Sequence, residues 1–217
     1  MNELVKKSTN VVSTPQREAA NIAAAAQQDA GFLRSLKFNK GHYFVDKKDE
    51  VPLGSEFVAH CVGWRKVWMK FEDGKLMHRK EYSMIAGDRV PDRDEMGDND
   101  PSQWPISDMT KQPQDPWVLQ YQLPLEAKNG DLMIFITSSI GGKRAVADVC
   151  AAWSRRAGRD PFCGMPYVKL RETLMPTNYG GTQRPQFEIF GWDTAKDGVR
   201  EIKGEVKQDD MNDEIPF

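Results

Sequence analysis

Lys66-Val67-Trp68-Met69-Lys70-Phe71, followed by Glu72-Asp73-Gly74-Lys75, is the stretch on which the fold reading turns. Successive side chains of an extended strand point to opposite faces. Val67, Met69 and Phe71 therefore fall on one side, and Lys66, Trp68 and Lys70 on the other. A helix would scatter both sets around its circumference. Asp73-Gly74 suits the positive backbone angles of a tight hairpin turn, so Leu76 to Ile85 is expected to return as the paired strand.

The neighbouring segments extend this β pattern. Upstream, Glu56 to Trp64 is strand-like, with Gly63 marking a bulge or bend. Downstream, Trp117 to Leu125 and Asp131 to Ser138 flank Lys128-Asn129-Gly130, a second hairpin signal. In Lys143 to Ala157, the residues Val146, Val149, Cys150, Trp153 and Ala157 recur at helical spacing, and Gly158 follows. That predicts a helix with one buried face. Tyr167 to Leu174 and Pro185 to Trp192 read as two further strands. Hairpins, then a late helix, then closing strands is the order of a mainly β, OB-fold-like small barrel. A β-sandwich with one helix satisfies the same order. The expected domain covers residues 32–193.

Three segments break the pattern. Residues 1–31 hold an alanine-rich run between Pro15 and Gly31, expected to be a flexible arm or loosely docked helix with little to bury. Residues 86–116 are rich in Asp, Pro, Gly and Asn and show no period; a loop of that length is functional or disordered. Residues 194–217 read as a linker and a tail.

Composition excludes several classes. The chain has 217 residues, and no apolar run approaches the ~20 needed to span a bilayer. Residues 1–10 carry no apolar block behind their lysines, so no secretory signal is expected. Cys61, Cys150 and Cys163 are an odd number without close pairing, which argues for a reducing compartment. These cysteines and His42, His60 and His78 lack metal-ligand spacing, and no cofactor is expected. The acids of residues 88–100 lack the twelfth-position glutamate of a calcium hand. Gly141-Gly142-Lys143-Arg144 lacks the upstream glycine and the following Ser or Thr of a P-loop, which excludes nucleotide hydrolysis. A helix N-terminus carrying Lys143 and Arg144 can still hold a backbone phosphate. Ser138-Ser139 have no elbow glycines, and no nucleophile–base pairing is legible, so a non-enzymatic role is expected.

The net charge of −2 conceals a segregation. Residues 88–116 carry eight acids against three bases, and residues 208–217 carry four acids and no base. Residues 1–87 and 117–207 are both net basic. The expected folded body thus presents cations, while a loop and a tail hold the acid. Sequence-tolerant binding of single strands needs a cationic track for phosphates and aromatic faces for bases. The face of Lys66, Trp68 and Lys70 offers both, preceded by Trp64 and Arg65 and paired with a strand bearing Arg79, Lys80 and Tyr82. This reading requires Trp68 to be open to solvent and a continuous positive track; burial is the ordinary fate of an apolar strand residue.

The chain closes on Asp209-Asp210-Met211-Asn212-Asp213-Glu214-Ile215-Pro216-Phe217. Phe217 offers an aromatic anchor, and its carboxylate can pair bidentately with an arginine. Pro216 limits the entropy lost on docking. The carboxylates of Asp209, Asp210, Asp213 and Glu214 speed encounter with a basic ridge. This tip resembles that of the bacterial single-stranded DNA-binding proteins, where an aspartate run closes in Ile-Pro-Phe. The resemblance covers the last nine residues and not the body. It implies a protein of the bacterial cytoplasm and nucleoid that coats single-stranded DNA. Through Ile215, Pro216, Phe217 and the preceding acids it recruits replication, recombination and repair enzymes. The resemblance also implies that the tip can fold back onto the protein's own basic groove. The unmatched body and short linker point to a diverged form, expected from a bacteriophage or other mobile element, and leave the oligomeric state open. A rival reading uses the same tip: a body that binds no DNA, with the tip as a decoy for host partner proteins.

Overall fold

The computed structural model describes residues 33–107, 110–160, 163–177 and 180–194. The alanine-rich stretch, the linker beyond Thr194 and the acidic tip lie outside the described residues.

The hairpin that anchors the sequence reading is present. Strand β5 (Arg65–Glu72) turns through Asp73 and Gly74, both at positive φ (50° and 72°), into β6 (Lys75–Ser83). A second hairpin joins β7 (Trp117–Ala127) to β8 (Leu132–Thr137) across Gly130, whose φ is 85°. Before these stand β1 (Arg34–Asn39), β2 (His42–Val45), β3 (Asp49–Val51) and β4 (Glu56–Ala59). After them come helix α1 (Ile140–Ala157) and the long hairpin of β9 (Cys163–Thr177) and β10 (Gly180–Thr194).

All ten strands belong to one strongly curled sheet, a half-barrel in which eight follow the order β10-β9-β4-β7-β8-β1-β2-β3 and β6 joins through β5, which pairs with β7. β1 pairs with β8 in parallel, and the remaining pairs are antiparallel. The mainly β, small-barrel expectation with one amphipathic helix therefore holds. Across the open side, the Tyr43 hydroxyl of β2 donates to the Arg171 carbonyl of β9 at 2.8 Å. Among the described residues no helix is long and apolar enough to cross a membrane.

β7 organises the sheet. One edge pairs with β8, while the other pairs with β5 along its first half and with β4 along its second. The expected continuous strand from Glu56 to Trp64 is broken there: it ends at Ala59, and Cys61–Gly63 form a 3-10 turn. The break has a chemical cause. Within a strand, the N–H and C=O of one residue point to the same side, and Pro124 has no N–H to give. Its carbonyl accepts from His60 N at 2.9 Å, and the ladder is interrupted beside it.

The inner face of the curl packs Leu36, Tyr43, Phe57, Leu123, Leu125, Phe135, Val168 and Leu170 against α1. The helix contributes Val146, Val149, Cys150 and Trp153, four of the five residues expected at its buried face, and the fifth, Ala157, packs partly against the same core. α1 begins three residues earlier than the spacing predicted. The Ser139 hydroxyl accepts from Gly142 N at 3.1 Å and caps it. The outer face carries a smaller cluster of Val67, Met69, Ile134 and Ile136.

Gly142 is required by close approach. A Cβ placed there would lie 1.9 Å from Thr137 Oγ1 on the end of β8. Gly142→Ala should therefore force the helix start away from the sheet and destabilise the domain by about 1–3 kcal/mol, despite alanine's better helix propensity. Urea unfolding monitored by circular dichroism measures it, and an unchanged or raised midpoint would refute the close-packing argument.

Candidate nucleic-acid interface

Lys66, Trp68 and Lys70 share the face that β7 turns to the core. Register places Lys66 opposite Tyr121, Trp68 opposite Leu119, and Lys70 opposite Trp117. Tyr121 has the same parity along β7 as the core residues Leu123 and Leu125. The concave face thus has three zones along β7. One lies beneath α1, the middle zone is centred on Lys66 and Tyr121, and the last contains Trp68, Leu119 and Trp117.

The last zone corrects the sequence reading. Trp68 is only 6% exposed and packs with Met96, Trp117, Tyr82, Val90 and Leu119. Its indole N–H donates to the Pro91 carbonyl at 3.0 Å. The long acidic segment covers it. Lys70 is also taken, with its ammonium 2.8 Å from Glu72 and 3.2 Å from Asp98. Neither residue offers a free face to a nucleic acid.

The covering segment is built around one guanidinium. Arg93 grips both carboxylate oxygens of Asp115 at 2.5 and 2.7 Å. It also donates to the Gly97 carbonyl at 2.6 Å and the Asp98 carbonyl at 3.1 Å, and its Cζ lies 5.7 Å from the Trp104 ring centroid. Asp98 then accepts from Trp117 Nε1 at 2.8 Å. An Asp92–Glu95 capping box starts the short 3-10 turn that delivers Met96 onto Trp68. Asp98 and Asp115, with the capping pair Asp92 and Glu95, are the acids this arrangement uses, while Asp88, Asp94 and Asp100 stay exposed.

Arg65 and Arg79 also leave the expected track. Their odd positions in register put them on the outer face, where both pair with Glu81, at 3.0 and 2.6 Å. Arg144 is exposed and points toward Met175 of β9, with Nη1 3.8 Å from the sulfur. Lys80 is exposed on β6, across from Trp68. Tyr82 is half-buried and stands across from Lys66.

The middle zone is what remains, and it is chemically distinct. A cross-strand row runs Tyr82, Lys66, Tyr121, Thr137 over β6, β5, β7 and β8. Lys66 Nζ lies 5.1 Å from the Tyr121 ring centroid and 5.9 Å from that of Trp64. Lys143 Nζ, from the first turns of α1, lies 6.0 Å from the same Tyr121 ring. The Trp64 and Tyr121 rings are 5.9 Å apart. Burial, reinforced by repulsion from Lys66, pushes the Lys143 ammonium below its usual pKa. Eight lysines and arginines are half-buried among the described residues. Arg65, Lys70, Arg79, Arg93, Lys169 and Arg184 have a carboxylate within 4 Å, and Lys66 and Lys143 do not.

Of the expected site residues, the structure brings together Trp64, Lys66 and Lys143, with Tyr82 beside them. It adds Tyr121, which the sequence reading missed. Tyr121 lies far along the chain from Lys66, and only register makes them neighbours. The alternation of β7 was the available signal. The tip residues Asp209 to Phe217 lie outside the described residues. No family model, no curated protein and no solved structure matches the chain.

Two outcomes follow for the covered zone. Trp68→Ala should cost about 3–5 kcal/mol of unfolding free energy in a urea titration, as for an aromatic removed from a core. Asp98 is held below the usual carboxylate range, first by the Trp117 indole N–H and then by the Lys70 ammonium. Its charged form is thus favoured in the folded state. The stability it supplies is present above the unfolded value of about 3.9 and is lost as pH falls through the lower folded value. The urea midpoint of the wild type should drop as pH is taken below about 4. Asp98→Asn should start lower at neutral pH and drop less. Parallel curves for the two proteins would show that Asp98 carries none of this.

Proposed function

We propose that the protein binds single-stranded DNA through Lys66, Lys143, Tyr121, Trp64 and Tyr82, and recruits replication, recombination and repair enzymes through Asp209 to Phe217. One observation carries the DNA reading: two half-buried lysines share one tyrosine ring, with no carboxylate of the described residues within 4 Å of either. Ammonium groups placed this way suit phosphate oxygens, and the half-buried rings of Tyr121 and Trp64 suit stacked bases. A helix N-terminus beside them adds a further favourable field for an anion. The site replaces the Lys66-Trp68-Lys70 track of the sequence reading. The partner-recruiting role rests on the acidic Ile-Pro-Phe end alone.

The burial of Trp68 favours a second reading. It removes the aromatic platform on which the sequence argument depended, and a body without DNA affinity leaves the tip as a decoy for host proteins.

Titrating the intrinsic tryptophan fluorescence with oligo-dT and with duplex of equal length separates the two. The DNA reading expects saturable, salt-sensitive binding that prefers the single strand. Tyr121→Ala should weaken it by about 1–3 kcal/mol, and Lys66→Gln should reduce the logarithmic salt slope by roughly 0.7. Absence of binding at low salt leaves the decoy. Removing residues 208–217 takes the charge from −2 to +2. If the tip shields the site, oligo-dT affinity should rise at low salt. An unchanged affinity would mean tip and site never meet.

A further inference from the structure

We propose that Lys143 is a nucleophilic amine that condenses with an aldehyde carried on an anionic strand, namely the open 1′-aldehyde of an abasic deoxyribose in single-stranded DNA. The inference rests on the binding reading above and goes beyond it, since binding requires no chemistry. A lysine serves this role only when a fraction of it is neutral and when its partner is brought close. Both conditions have a geometric source here. Lys143 is half-buried against the Tyr121 ring, with a second ammonium, Lys66, on that ring and no carboxylate of the described residues within 4 Å. Burial and the neighbouring positive charge both disfavour its own ammonium form. α1 begins at Ile140, so Lys143 also feels the positive end of the helix. Lys66 can hold the flanking phosphate, which leaves Lys143 free to react.

An abasic position is where such an amine gains access. With no base to stack on Tyr121 or Trp64, the sugar can approach the ring wall. The balance of the step is simple. The neutral Nζ adds to C1′, and the carbinolamine loses water to give the protonated imine. Loss of the C2′ proton to water then expels the 3′ phosphate by breaking C3′–O3′, and hydrolysis of the imine returns the lysine. No oxidant, reductant or metal enters.

The experiment incubates the full-length protein with a single-stranded oligonucleotide carrying one central abasic site. Cyanoborohydride is added to reduce any imine, and the intact oligonucleotide serves as the binding control. Protein is used at concentrations that saturate each oligonucleotide for each variant, so that affinity differences do not enter. A covalent adduct is expected, with Lys143 as the modified residue in peptide mass spectrometry. Lys143→Arg keeps the charge but is always protonated, so trapping should fall about tenfold or more. Lys75→Arg, at an exposed position on β6 outside the site, should leave the trapping unchanged. Equal adduct with Lys143→Arg, adduct spread over exposed lysines such as Lys75 and Lys80, or no adduct at all while the intact oligonucleotide still binds, would overturn the inference and leave the binding reading standing. Failure of the intact oligonucleotide to bind would overturn both.

Discussion

The half-barrel depends on one strand serving three partners. β7 pairs with β8 from Tyr121 to Glu126 on one edge and divides the other edge between β5 and β4. An undivided neighbour would keep the sheet as a simple ribbon. Pro124 makes the division possible, because it presents a carbonyl and no donor at the point where the second edge must open. The chain between Ala59 and Arg65 is released from the ladder there and tightens into the turn at Cys61–Gly63. On one side of the break β5 leads to β6, and on the other β4 leads to β9. Both the concavity that α1 fills and the zone of Lys66 and Tyr121 beyond it follow from this split.

Much of that architecture was legible in local sequence. The alternation of β5, the Asp73-Gly74 and Asn129-Gly130 turns and the buried stripe of α1 are all short-range signals, and each appears where the pattern placed it. What local pattern could not supply was the environment of each face. Both faces of β5 are packed, one against Ile134 and Ile136 and the other against Met96 and Trp117. Alternation of charge and aromatic residues does not distinguish an open face from one covered by a distant segment. Arg65 and Arg79 lie close in sequence or register to the Lys66 face, but their parity puts them on the opposite one. The segment 86–116 has no period because its order comes from Arg93 and its ligands rather than from a repeating backbone.

The covering segment also explains how an acidic stretch coexists with a basic face. Asp98 neutralises Lys70, and Asp115 neutralises Arg93. These two acids are held by cations of the fold, while Asp88, Asp92, Asp94 and Asp100 stay exposed. Charge summed along the sequence does not reveal this, since it counts a carboxylate bound in a network the same as one facing solvent. The concave face therefore divides into a neutralised part under Met96 and an uncompensated part at Lys66 and Lys143.

That uncompensated part is the feature least explained by folding alone. Enclosing a cation removes hydration, and a protein ordinarily recovers the loss with a carboxylate, as it does at Arg65, Lys70, Arg79 and Arg93. Placing two ammonium groups on one ring beside a helix N-terminus adds repulsion to the desolvation and gives the fold no pairing in return. The Tyr121 and Trp64 rings offset part of that through their negative faces, but a cation–π contact at a partly open site is worth only about 0.5–1 kcal/mol. The same arrangement becomes favourable once an anion arrives, because repulsion between the lysines turns into joint attraction for it. Cost in the free protein and gain in the complex thus come from one geometry, and that is the pattern expected of residues kept for a ligand rather than for the fold.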